Sequence, residues 1–148
     1  MPNLPKDFPD HHDAELVIRL YELRRDPVMR ESRNVMFTQF LPKSYEDLKV
    51  VATNNANPLN AAYRQTTSYW EMVYGMAKHG IIHADFLMEN SGEGIYLYVK
   101  AYPWLAQLRA DANRRVFENT EWIVNHSEVA KASFARISAA VEKLRAAK

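Results

Sequence analysis

Residues 57–80 read NPLNAAYRQTTSYWEMVYGMAKHG, and how this stretch folds decides how the rest of the chain is arranged. Asn57 is a good helix cap, because its side-chain oxygen can accept from the free N–H groups of a first turn. Pro58 suits the first helical position, where its fixed φ helps and its missing N–H costs nothing. Gly80 can take the left-handed conformation that closes a helix, with Lys78 and His79 near the negative end of the helix dipole. Between these signals Leu59, Ala62, Tyr63, Thr66, Tyr69, Trp70, Val73, Met76 and Ala77 recur at three- and four-residue steps. One broad buried face follows, and the pattern predicts a central helix over 57–80.

Working outward, the stretch before it divides into three helical patterns. The prolines at 2, 5 and 9 make 1–10 an extended arm. Helix one runs from Asp10 or Asp13 to Arg24 or Arg25, with Leu16, Val17, Leu20 and Leu23 or Arg24 as its stripe, widened by Ile18 and Tyr21. Asp26-Pro27 repeats the cap-then-proline signal and opens helix two through Met29, Ser32, Val35, Met36, Gln39 and Phe40, which Pro42 ends. Ser44 with Asp47 starts a short third helix to about Thr53. Beyond Gly80, 83–89 reads as a short helix. GIYLYVKAY at 94–102 alternates like a strand, but an isolated strand leaves its ladder groups unpaired. A continuous stripe of Leu97, Ala101, Trp104, Leu105, Leu108 and Ala112 favours a helix, kinked or restarted at Pro103 and continuing to about Asn125. Ser127 caps a last helix with the seam Ala130, Phe134, Ile137, Val141 and Leu144. The expectation is one all-α domain over 1–148, a bundle of about six or seven helices.

Composition excludes several function classes. Nineteen basic and eighteen acidic residues in 148 leave a net charge of +1, so no global field gathers nucleic acid or anionic lipid. The absence of cysteine removes disulfides, thiolate nucleophiles and Cys-ligated zinc. No run approaches the roughly 20 apolar residues of a membrane span, and the N-terminus lacks the apolar core of a secretory signal. A cytoplasmic protein is expected. There is no Gly-rich phosphate loop, nucleophile elbow or HExxH motif, which points away from an enzyme.

Three segments read together, RRDPVMRESR at 24–33, SYWEMVYGMAKHGII at 68–82 and GEGIYLYVKAYPWL at 92–105, resemble a group of small bacterial helical proteins catalogued as a domain of unknown function. The likeness spans roughly 16–125. It implies an all-α fold and a bacterial source, and it supplies no catalytic residue. Some relatives carry membrane segments, which this chain lacks, so no membrane role is carried over.

Few polar residues stand in informative places. His79 and His83, four apart with Asp85 following, superficially suit a metal, but Gly80 ends the helix between them, so no metal site is expected. His11 and His12 sit beside the proline-rich arm and read as a solvated cap region. Glu71 lies inside the run Tyr69-Trp70-Glu71-Met72-Val73-Tyr74 and needs a cation or several donors if buried. Arg33, one turn from both Met29 and Phe37, with Arg30 nearby, is the expected partner. That pair is read either as a structural ion pair or as a ligand-anchoring clamp between the central helix and helix two. Gly75, mid-helix, asks for a close helix neighbour or room for a ligand, and Tyr74 beside it completes the candidate set Arg33, Glu71, Tyr74 and Gly75. Met72, Met76 and Met88 read as adaptable core filler. Lys131, Arg136, Lys143, Arg145 and Lys148 read as a solvated face of the last helix.

Two functions from different classes follow. The first is a non-enzymatic helical module that binds a protein partner or itself, with a homodimer through 128–147 as one form because the seam is narrow. The second is a small-molecule site, possibly enzymatic, around Glu71. Neither requires a cofactor.

Overall fold

Capping residues and prolines cut the chain into helices close to where the sequence places them. The computed structural model describes residues 6–147; half of the expected arm, 1–5, and Lys148 of the expected solvated face lie outside that range. Helix α1 is His11–Arg24, capped by Asp10, whose carboxylate accepts from the His12 and Asp13 N–H groups while Asp13 bonds back to the Asp10 N–H. Asp13 is fully buried and also receives the His83 N–H at 3.0 Å and the Lys6 ammonium at 3.0 Å. Burial pushes its carboxyl up, but the Asp10 N–H, Lys6 and the His83 N–H outweigh this and hold it below the usual carboxylate range.

Helix α2, Pro27–Gln39, is capped by Asp26, and α3, Tyr45–Thr53, by Ser44. Helix α4, Asn60–Lys78, is the central element, in contact with α2, α3 and helices from the C-terminal half. It starts two residues later than the sequence suggests, with Leu59 rather than Asn57 at the cap position. The Asn57 side chain accepts instead from the Leu59 N–H, at 2.8 Å, folding 57–59 into a turn. The far end matches expectation. Gly80 has φ 74°, the Ile81 N–H reaches the Met76 carbonyl at 2.9 Å and the Gly80 N–H the Ala77 carbonyl at 3.0 Å, the paired bonds of a left-handed helix stop.

The C-terminal half holds α5 (Ala84–Asn90), α6 (Gly94–Ala101), α7 (Leu105–Ala112), α8 (Glu118–His126) and α9 (Glu128–Ala147). Among the described residues there are nine α-helices and no strand. The all-α expectation therefore stands, and 94–102 is helical as far as Ala101. The number of helices is larger because the expected long helix to Asn125 is three. A 3-10 turn at Tyr102–Trp104 absorbs Pro103, and Asn113 at φ 52° ends α7. Phe117 at φ 60° then turns the chain into α8. A bulky residue in that region is strained, and packing of its ring against Tyr63 and Tyr98 holds it there.

The core runs along α4, where Ala62, Tyr63, Thr66, Trp70, Val73, Tyr74 and Ala77 are all buried. Helix α9 closes the other side against α5, α6 and α8, and it spends most of its seam there: Ala130 and Val141 are buried and Phe134 and Ile137 pack on the core, whereas Leu144 is exposed. Arg145 is not on a solvated face. It donates to the Pro42 and Lys100 carbonyls at 3.0 and 2.8 Å and lies over Trp104. Helix α1 also departs from its predicted stripe. Leu20 is buried and Leu16 and Val17 are half-buried, whereas Ile18, Tyr21 and Leu23 face solvent.

Candidate functional site

The four residues singled out by sequence do not converge. Glu71 meets neither Arg33 nor Arg30. Its carboxylate turns away from α2 and accepts from the Asn119 N–H, the Thr120 N–H (both 2.9 Å) and the Thr120 hydroxyl (2.6 Å). Those amides belong to the second and third residues of α8, whose cap position is Phe117 with no side chain able to accept. Glu71 therefore caps α8 from a different helix, and its charge complements the positive end of that helix dipole. Gly75 lies beneath the same junction. A methyl group there would come within 2.7 Å of the Asn119 amide nitrogen, so close approach of α8 explains this glycine. Tyr74 is fully buried, and its hydroxyl donates to the Ser91 carbonyl at 2.8 Å. Burial pushes that hydroxyl far above its ordinary range. The histidines are apart in role too: His83 caps α5, accepting the Phe86 N–H on Nδ1 at 3.0 Å.

Arg33 stands at a second site, on the opposite side of α4. It binds Glu93 through Nε, at 3.2 and 3.0 Å to the two oxygens, and through Nη2 at 2.7 Å, while Nη1 donates to the Arg24 carbonyl at 3.3 Å. Arg24 joins the same carboxylate at 3.6 Å, and its guanidinium lies 5.3 Å from the Tyr21 ring centre and 5.6 Å from that of Trp70. Arg24 Nε is buried and has no hydrogen-bond partner among the described residues. What brings Glu93 here is the residue after it. Gly94 begins α6 directly on the aromatic face of α4, where an added methyl would lie 2.7 Å from Trp70 and 2.6 Å from the Tyr74 hydroxyl.

The arginines open onto solvent. A cleft of about 370 Å³ between α1 and α2 is lined by Tyr21, Arg24, Arg25, Arg30 and Arg33. Arg25 and Arg30 are exposed, and their side chains make no ion pair or hydrogen bond among the described residues. Nearby, Tyr69 donates to the Leu20 carbonyl at 2.7 Å; burial pushes its hydroxyl up, and Arg24 and Arg33 pull it partly back. Arg33 also borders Phe37 and Tyr96, whose rings stack at 4.7 Å. Phe37 is 55% exposed and Tyr21 54%. Helical spacing places Ile18, Tyr21 and Arg25 along one side of α1, and Arg30, Arg33 and Phe37 along one side of α2. Together they form a continuous aromatic and arginine band from Tyr21 to Tyr96.

Two further features were missed by the sequence reading. Lys100 looks like the polar member of an alternating run, yet it is 1% exposed, donating to the Met36 and Phe37 carbonyls at 2.9 and 3.3 Å with Tyr96 and Phe40 over its ammonium. A cation at the C-terminal carbonyls of α2 complements that end of the helix. The only sequence signal was its place in an otherwise apolar helix. The other feature is an open cleft of about 710 Å³ between α4 and 114–118, with Tyr63, Arg64, Glu71, Arg114 and Arg115 on its walls.

The family described as Domain of unknown function (DUF4760) matches residues 9–127, and the chain belongs to it. No curated protein and no solved structure matches the chain. No helix among the described residues is long and apolar enough to cross a membrane.

Proposed function

We propose that this DUF4760 member is a non-catalytic helical module that docks a protein partner on the band running from Tyr21 across the arginines to Tyr96. The band is the observation that carries the reading. Arginine and tyrosine are the residue types that dominate binding hot spots, because each offers a large flat surface with a polar edge. Here Tyr21 and Phe37 remain 54% and 55% exposed beside guanidinium groups, although burying them inside the fold would have been favourable by about 25 cal/mol per Å². Three of the four residues that the sequence singles out have structural partners instead. Glu71 caps α8, Tyr74 holds the Ser91 carbonyl and Gly75 admits Asn119. Self-association through 128–147 has less support, since all of the α9 seam but Leu144 packs within the chain.

A photoreactive residue placed at Tyr21 in cells tests this, with Met72, 46% exposed, as the control site. The expected result is a discrete cross-linked species from position 21 and none from 72. A species of twice the chain's mass would identify the partner as a second copy. Absence of any cross-link, or equal yield from both sites, would sink the docking surface.

The second reading is a small-molecule site, and the open cleft beside Glu71 is what favours it. It lies between α4 and the segment 114–118 that leads into α8, rather than between α4 and α2.

A further inference from the structure

We propose that the arginine cleft between α1 and α2 binds a phosphate monoester dianion. Four guanidinium groups, Arg24, Arg25, Arg30 and Arg33, line it together with Tyr21. One carboxylate, Glu93, is bound to two of them, which leaves three positive charges uncompensated in the cleft. Asp26, between Arg25 and Arg30 in sequence, does not offset them by pairing, because its carboxylate is turned to the Val28 and Met29 N–H groups at 2.9 and 3.2 Å. Such a concentration of like charge is unfavourable in the free protein and is relieved by an incoming anion.

Donor geometry selects the anion. A guanidinium offers five N–H groups in a rigid fork. Glu93 and the Arg24 carbonyl account for the bonds of Arg33, while among the described residues Arg25 and Arg30 have none and the buried Arg24 Nε has no partner. Glu93 already fills the role of a planar, singly charged partner. A phosphate monoester carries close to two charges and three terminal oxygens in a tetrahedral array, so it can be met from several directions at once. Arg24 and Arg33 are held in place before it arrives, which lowers the ordering cost, and Arg25 and Arg30 are free to close over it. Tyr21 lines the cleft as apolar surface for the carbon side of the ester, and Phe37 lies beyond it, beside Arg33.

This rests on the band being a recognition surface, but it is measured on the purified chain alone. Calorimetry at low ionic strength uses inorganic phosphate, phosphoserine, a leucine-flanked phosphoserine peptide and the same peptide unphosphorylated. The phosphorylated ligands are expected to bind saturably at one site, and the unphosphorylated peptide at least about tenfold more weakly. Arg25→Ala with Arg30→Ala should weaken binding about tenfold or more. Lys43→Ala with Lys143→Ala removes the same charge from exposed positions elsewhere and should change it by less than about twofold. A peptide much tighter than phosphoserine assigns the group to a partner's modified side chain; equal affinities assign it to a small phosphate ester. Absence of saturable phosphate binding, or equal weakening by both double variants, overturns the proposal. If that happens while cross-links from position 21 persist, the docking surface stands and only the anion site falls.

Discussion

Two carboxylates, Glu71 and Glu93, lie on opposite sides of the same central helix, and the contrast between them separates structure from function. Glu71 faces backbone. Two amides and a hydroxyl from α8 converge on it, and the junction is closed by Gly75 and Asn119. Glu93 faces side chains. Its arginines outnumber it, and two of those lining the cleft are open to water and unpaired among the described residues. A carboxylate whose donors are matched to it fixes the fold, because any change leaves buried groups unsatisfied. A carboxylate set among surplus donors leaves room for another anion.

The largest effect expected is at the matched site. Glu71→Gln puts an N–H₂ group against amides that need an acceptor, and urea unfolding should show a loss of about 3 kcal/mol. Combining it with Arg33→Met sharpens the point. Pairing of Glu71 with Arg33, as the sequence suggested, would let the second change recover part of the first. The observed separation predicts additivity within about 0.5 kcal/mol. Clear recovery in the double variant would mean that the two groups meet after all.

This miss marks the limit of what the sequence made legible. Helix boundaries at Asp10, Asp26, Ser44, Gly80 and Ser127 follow from local chemistry, since a cap bonds to amides two or three residues away. The core face of α4 follows from its own spacing. The partners of Glu71, Arg33 and Lys100 lie 48, 60 and 64 residues distant, and helix spacing carries no information about which helix packs on which. The split of 94–126 was hidden for a related reason. Phe117 takes a left-handed conformation that its residue type disfavours and that only tertiary packing supports. The arginine cleft was half legible: the run at 24–33 shows the charges, but Glu93 and the exposure of Tyr21 come from the packing of α6 and α1.

The open site should respond with a smaller change in stability and a larger one in binding. Glu93→Gln weakens ion pairs that are partly solvated, Glu93 and Arg33 each keeping 27% of their side-chain surface, so the cost should be about 1 kcal/mol. The same change raises the positive charge of the cleft, and phosphate affinity should rise about threefold. Glu71→Gln should leave that affinity unchanged. A loss of stability at Glu93 equal to that at Glu71, with no gain in affinity, would erase the distinction between the two sites.

The smallest effect is expected at Gly75, and its smallness is informative. Replacing a mid-helix glycine by alanine stabilises the helix by roughly 1 kcal/mol. Against this, the new methyl would meet the Asn119 amide nitrogen at 2.7 Å and displace its bond to the Glu71 carbonyl, 2.9 Å long, at a cost of about 1 kcal/mol. The atom that must move is the end of a side chain, and the next nearest, the Asn119 carboxamide carbon at 3.5 Å, is in ordinary contact. Gly75→Ala should therefore shift stability by less than about 0.5 kcal/mol, read from the thermal midpoint. A loss of several kcal/mol would show that α8 itself, rather than one side chain, is pressed against α4. The Glu71 cap would then be holding two helices at their closest possible approach.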